Sequence, residues 1–159
     1  MNDTAHISDL AERKRALDPT CSFIVQAPAG SGKTGLLIQR YLKLLARVEE
    51  PEEIVVITFT KKAVAEIQKG VLAALTQSSE ISENEHVKLT RKLASAVLQH
   101  DDQSGWQIVK NPTRLRIQTI DSLCASLVRQ MPILSKSSSQ MESTSDASDL
   151  YREAARATI

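Results

Sequence analysis

Eight consecutive residues, Ala27-Pro28-Ala29-Gly30-Ser31-Gly32-Lys33-Thr34, carry the most specific chemical pattern in the chain. They fit the phosphate-binding loop G-x-x-x-x-G-K-[ST], with Ala27 standing where the strict form has its first glycine. Small residues let consecutive backbone N–H groups turn inward around phosphate oxygens, and a helix beginning near Lys33 adds the positive end of its dipole. Lys33 is placed to reach β- and γ-phosphates as a point charge. The Thr34 hydroxyl is placed to take one position in a Mg²⁺ shell.

Such a loop works only between a buried strand and a helix, and the flanking residues supply both. Phe23-Ile24-Val25 is a compact apolar run between Pro19 and Pro28, as expected of a strand buried on both faces. From Lys33 onward Leu37, Tyr41, Leu44 and Val48 recur at helical spacing and stop before Pro51. The grammar repeats once, with Ile54-Val55-Val56-Ile57 as a strand and Val64, Ile67, Val71 and Leu75 along one helix face. Two strand-helix units imply an α/β fold with a parallel sheet.

The remainder has less pattern. A short leading helix is expected over residues 8–18. A helix carrying Val87, Leu93 and Val97 follows a capping-box signature at Ser82 and Glu85 and reads as a helical insertion over residues 76–110. Leu115-Arg116-Ile117-Gln118-Thr119 alternates like a third strand, and Asp121 is a candidate cap for the next helix, with Leu123, Leu127 and Val128. Half of the fourteen residues from Ser135 to Ser148 are serine, the composition of a connector that buries little. Residues 149–159 begin a helix with no stop signal before Ile159.

The totals narrow the function classes. The 159 residues suit about one domain, 42% hydrophobic and 25% charged. Twenty Lys+Arg against nineteen Asp+Glu leave a net charge of +1, so contact with nucleic acid has to rest on local motifs. Cys21 and Cys124, far apart, read as half-buried thiols in a reducing compartment, and with no basic-apolar leader and no long apolar run the expected location is the cytoplasm, without membrane. His6, His86 and His100 lack metal-ligand spacing and read as surface residues. Trp106, the sole tryptophan, suits packing of the insertion against the sheet.

Three segments in order carry a family resemblance. Ala27–Thr34 resembles motif I of superfamily-1 DNA helicases of the UvrD/Rep type. Ile57-Thr58-Phe59-Thr60-Lys61-Lys62-Ala63, with Glu66, resembles motif Ia, and Ile117-Gln118-Thr119-Ile120-Asp121-Ser122-Leu123 resembles motif Ic. The stretch RLRIQTIDSLCASLVRQMP is similar to AddA-like and RecB-like helicase subunits, and the resemblance spans roughly residues 10–159.

The resemblance implies a P-loop NTPase fold of the RecA-like kind, a parallel sheet with helices on both faces, the helical insertion, and a C-terminus that stops short of the complete domain. On this view residues 1–134 are a partial ATP-binding domain, 135–148 a connector and 149–159 the start of a cut helix. It implies ATP and Mg²⁺ as cofactors, held by Ala27 through Thr34. It implies single- or double-stranded DNA as partner and a second RecA-like domain outside this chain, with a nuclease as a further candidate partner. DNA-contact roles carry over to Thr58, Phe59, Thr60, Lys61, Thr119 and Ser122, with Lys62 a further phosphate candidate. Strand-end hydroxyls, helix N-terminal amides and an aromatic face are groups that meet phosphates and bases.

The chain departs from the family at two places: Asp121 stands where histidine is frequent in motif Ic, and no glutamine for adenine occurs in residues 10–17. No Asp-Glu pair, the usual Mg²⁺-holding and water-activating element, occurs anywhere. Asp101-Asp102 imitates it only superficially, after a helix-patterned run. The chain alone is therefore expected to bind nucleotide and to hydrolyse it poorly. Two rival readings stay open: a small P-loop nucleotide kinase-like transferase, and a non-catalytic nucleotide-binding fragment that docks on a partner chain.

Overall fold

The computed structural model describes residues 10–76, 84–130 and 146–157. Its elements run α1 (Leu10–Ala16), α2 (Lys33–Leu45), β1 (Val55–Thr58), α3 (Lys61–Thr76), α4 (Glu85–Ser104), β2 (Arg116–Thr119), α5 (Ile120–Gln130) and α6 (Ser148–Ala157), with single 3-10 turns at Pro51–Glu53 and Pro112–Arg114. The chain divides into a unit up to Leu123 and another from Cys124 onward. No described helix is long and apolar enough to cross a membrane.

The sheet is parallel within an α/β arrangement, as the repeated strand-helix grammar implies, but among the described residues it has two strands where the sequence pattern implies three. β1 and β2 pair in register, Val55 with Arg116 through Thr58 with Thr119. Phe23-Ile24-Val25 is not a strand. A strand exists through the neighbour that takes its backbone hydrogen bonds, and β1 and β2 satisfy each other while residues 22–28 have no ladder partner among the described residues. Ile24 is fully exposed at 100% and Val25 stands at 48%, so these residues are not buried on both faces.

Register is set from the strand starts. The Arg114 guanidinium grips Glu52 with two hydrogen bonds, 2.7 and 3.0 Å, and Glu50 with one of 2.6 Å, tying the turn before β2 to the turn before β1. These bonds hold the Glu52 carboxyl below its ordinary range, with hydrogen bonding by Arg114 the leading cause. A one-residue slip would invert the side-chain pattern of both strands.

One face of the sheet is covered. Val56, Ile117 and Thr119 are buried there, α3 lies on both strands, and Gln68 on α3 donates to the Ile117 carbonyl. On the other face Val55 and Ile57 remain 40% and 50% exposed. The expectation of helices on both faces is thus met on one face among the described residues.

Helices α2, α3 and α4 pack on one another behind the covered face. Ile67, Val71 and Leu75 form the buried row of α3, matching the periodicity. On α2 the buried set is Leu36, Gln39, Tyr41, Leu42 and Leu45. Leu37, which spacing alone assigns to the core, is exposed, because the helix buries two flanks, one toward α3 and α4 and one toward α1. Fully burying Leu42 and Leu45 contributes about 2 kcal/mol each. Gly70 lets α3 approach α2 closely, since a Cβ there would strike the Ile38 side chain.

Helix α4, expected as an insertion, is part of the main core through Ala94 and Val97. Its cap is Asn84, whose side chain accepts from His86 N at 2.9 Å, and not Ser82, which lies outside the described residues. Trp106 is buried at 3% and donates to the Glu49 carbonyl at 3.2 Å, while His100 meets the Val48 carbonyl at 2.9 Å and stacks edge-on against Trp106. His86 and His100 are therefore half-buried and packed, not free surface residues; His6 lies outside the described residues. Cys21 and Cys124 are free, as expected, but exposed rather than half-buried. The serine-rich connector falls mostly in residues 131–145, outside the described residues.

Candidate functional site

The loop before α2 has the backbone that its glycines permit. Gly30 and Gly32 take φ of 75° and 80°, a left-handed conformation that costs a residue with a Cβ about 1–2 kcal/mol. Gly32 is also the N-cap of α2 and has no side chain to cap it, so the first-turn amides are left to the loop and to whatever enters it. Ser31 N closes a turn onto the Pro28 carbonyl at 3.4 Å. The Lys33 ammonium bends back over this turn and donates to the carbonyls of Ala27 at 2.7 Å and Pro28 at 2.5 Å. It therefore stands over the loop, where a terminal phosphate would need a cation. Thr34 is exposed on the next position of the helix.

A cavity of about 440 Å³ opens beside the loop, within the range of small-molecule sites. Ala16, Phe23 and Leu36 give it an apolar side, and Arg13, Ser31 and Lys33 a polar one. The Ser31 hydroxyl is buried and has no hydrogen-bond partner, an orphaned donor inside the loop. Left-handed glycines, a reaching lysine and an orphaned hydroxyl fit a nucleotide polyphosphate; the Thr34 hydroxyl fits one ligand position of Mg²⁺. Among the described residues no group of three His, Cys, Asp or Glu gathers to hold a metal, so a metal there would share its shell with phosphate oxygens and water.

Sequence reasoning missed Arg13. On α1, where no glutamine for adenine occurs, this guanidinium reaches across to the Ser31 carbonyl at 2.5 Å and lies alongside Gly32. Nothing in the local pattern separates Arg13 from Lys14 or Arg15; only the packing of α1 does. Behind the loop His86 lies against Gly35, and burial, then the Arg13 charge, keeps its imidazole below the ordinary value of 6.5.

The second cluster forms at the carboxyl end of the sheet. Because β1 and β2 are parallel and in register, Thr58 and Thr119 end side by side, though far apart in sequence, and α3 and α5 start directly after them. Thr60 caps α3, its Oγ1 accepting from Ala63 N at 3.1 Å, and Thr58 Oγ1 accepts from Thr60 N at 3.3 Å. Thr119 caps α5 by accepting from Ser122 N at 3.2 Å, and its hydroxyl meets that of Ser122 at 2.9 Å. Asp121, the candidate cap by sequence, instead occupies the first turn, where a carboxylate suits the dipole. Phe59 stands between the end of β1 and the start of α3 at 86% exposure, and Lys61 and Lys62 are exposed beside it in sequence. Asp101 and Asp102 sit inside α4, and Asp101 accepts from Ile108 N at 3.3 Å, so neither ends a strand.

The structure thus holds, within an α/β unit, a glycine-rich loop at the start of α2 and paired strand ends carrying hydroxyls, with an exposed aromatic and lysines next to them in sequence. The family model of the UvrD/REP helicase N-terminal domain matches residues 10–158, and the chain belongs to that family. Among curated proteins it is similar to the A-type subunit of the ATP-dependent helicase/nuclease from Clostridium acetobutylicum, 28% identical over 122 residues, and to its counterpart from Desulfitobacterium hafniense, 31% over 125 residues. Each match covers 74% of this chain and 8% of the relative, so the chain spans under a tenth of these relatives' length. No solved structure matches the chain.

Proposed function

We propose that this chain is the ATP-binding front part of a DNA helicase that couples ATP hydrolysis to 3′-to-5′ translocation on single-stranded DNA, in DNA repair or recombination in the cytoplasm. The observation that carries the reading is the loop geometry: left-handed Gly30 and Gly32 open the turn, and Lys33 stands over it. In this role Ala27 through Lys33 cradle the phosphates, and Lys33 leaves the Ala27 and Pro28 carbonyls to take a phosphate oxygen. Thr34 offers its hydroxyl to Mg²⁺. When bound, Mg²⁺ supplies charge neutralisation across the β- and γ-phosphates. The strand ends, with Thr58, Phe59, Thr60, Lys61 and Ser122, face DNA through α3 and α5 N-terminal amides, a stacking ring and a cation, while Thr119, buried, holds the start of α5 as its cap and does not itself meet DNA. With no strand-end Asp-Glu pair, the chain alone binds ATP and turns it over poorly. The ATP-dependent helicase/nuclease proteins it resembles support a neighbouring nuclease, and the helicase reading calls for a second RecA-like domain besides the one this chain contributes to. Single-stranded-DNA-dependent ATP turnover in the longer protein, abolished by Lys33→Ala, tests the reading; turnover that survives that substitution refutes it.

One observation favours a second reading. Ile24, Val55 and Ile57 present apolar surface that a non-catalytic nucleotide-binding fragment would bury on a partner chain. A chain that stays monomeric and stable alone at micromolar concentration counts against that alternative.

A further inference from the structure

Ala16 and Phe23 line the cavity beside the loop, and the residues that join them contain no regular secondary structure and no strand pairing. Something else must hold that segment in place. Arg40 does so from α2, the same helix whose first turn carries Lys33. Its Nη1 donates to the carbonyls of Ala16 at 2.6 Å and Asp18 at 2.9 Å, and its Nη2 to that of Cys21 at 2.9 Å. Its guanidinium carbon lies 5.3 Å from the centroid of the Phe23 ring, within cation–π range. One planar fork thus holds four points of a single bend. The bend is closed on itself by the Asp18 carboxylate, which accepts from Thr20 N at 2.9 Å and Thr20 Oγ1 at 2.7 Å. Asp18 directs these oxygens to Thr20, while Arg40 directs its charge to backbone carbonyls.

Lys33 and Arg40 are seven residues apart, two helical turns, and so lie along one side of α2. The fork is rigid and short of rotamer freedom once bonded. Arg13 ties α1, and with it Ala16, to the loop through the Ser31 carbonyl, while Arg40 holds the bend from Ala16 to Cys21 and the Phe23 ring against α2. We propose that Arg40 is the positioning residue of the base side of the nucleotide site. It sets where the aromatic and aliphatic wall meets the base and sugar, and it touches neither phosphate nor base. The proposal rests on the reading of the loop as a nucleotide site.

The consequence is separable from phosphate binding. A ligand that is all phosphate does not use the wall; a nucleoside triphosphate does. With the 159-residue chain, calorimetric titration of Mg²⁺-ATP and of Mg²⁺-tripolyphosphate is to be compared for the wild type, Arg40→Ala and Arg40→Lys, with far-UV circular dichroism on each. The expected result is a loss of at least about tenfold in ATP affinity for Arg40→Ala, the scale of several charge-assisted hydrogen bonds, with tripolyphosphate affinity within about twofold of wild type. Arg40→Lys, a point charge that cannot span three carbonyls, is expected to recover part of the ATP affinity. If Arg40→Ala fails to fold, the lysine variant decides by the same two-ligand comparison. Equal losses on both ligands, or none on ATP, overturn the positioning role while the nucleotide site stands. A wild type that binds neither ligand removes the site and this proposal together.

Discussion

The glycine loop before α2 and the strand-end surface both sit at helix N-termini, yet they are built in opposite ways. At the loop the helix start is uncapped: Gly32 offers no side chain, two glycines hold positive φ, and the nearby cation Lys33 is parked on backbone carbonyls. At the strand ends each helix start is already satisfied by a threonine, Thr60 for α3 and Thr119 for α5. The loop is therefore held by Arg13, Lys33 and its own turn, with no side-chain cap on the helix that follows. The strand ends commit their hydroxyls to the fold and leave amides, Phe59 and lysines as the outward groups. One helix start is left without a side-chain cap; the other two are capped.

The sharpest way to break this contrast is Lys33→Ala. Removing the ammonium over the loop is expected to lower the affinity for a non-hydrolysable ATP analogue by at least about tenfold, on the scale of one close charge contact in a partly exposed site. The circular dichroism spectrum is expected to stay unchanged, because the Lys33 ammonium bonds to the loop's own carbonyls and to no distant element. Calorimetry that finds undiminished binding would falsify the loop assignment.

Gly32→Ala comes next. An alanine at φ of 80° is strained by about 1–2 kcal/mol, and its Cβ would stand 3.5 Å from the Arg13 guanidinium, an ordinary contact. Backbone strain, not crowding, is the expected cause of a drop in urea midpoint, with a loss of phosphate affinity accompanying it. If stability is unaltered, the left-handed conformation at this position is wrong.

Thr60→Ala probes the other region and should give the reverse profile. Loss of a helix cap costs about 1 kcal/mol in chemical denaturation. In the longer protein single-strand affinity is expected to fall with nucleotide affinity intact; equal losses of both would merge the two regions into one site. The smallest effect is a pH dependence confined to the loop's support. His86 is held below 6.5 by burial and by Arg13, so the folded state favours the neutral ring and the unfolded state binds more protons. Stability from this group is complete above about pH 6.5 and declines as pH falls through the lower folded value. His86→Gln is expected to flatten that decline in urea midpoints across the mildly acidic range; an identical decline in both proteins would place its origin elsewhere.

Much of the first region was legible residue by residue. The loop at Ala27–Thr34 is a local device: its glycines, lysine and threonine lie within five residues, and the helix that follows announces itself by spacing. The row Ile67, Val71 and Leu75 was equally plain, since it faces one neighbour. Where a residue's role depends on what lies across from it, local pattern failed. Phe23-Ile24-Val25 and Ile54-Val55-Val56-Ile57 look alike as apolar runs, but among the described residues only the second has a ladder partner. Asp121 looked like the cap because it is acidic and near a helix start, yet Thr119 holds that position and supplies the accepting oxygen. Arg13 and Arg40 gave no signal among other arginines, because both act through backbone carbonyls supplied by segments 18 to 24 residues away.

The sequence by itself determined the family and the helices α2 and α3 with the strand β1 between them, because these are written in motifs and spacings within short segments. Tertiary structure alone decided that Thr58 and Thr119 end together, that α4 belongs to the core, and that two arginines brace the cavity. Those outcomes depend on strand pairing and helix packing between distant segments, and no local spacing encodes which distant group will arrive.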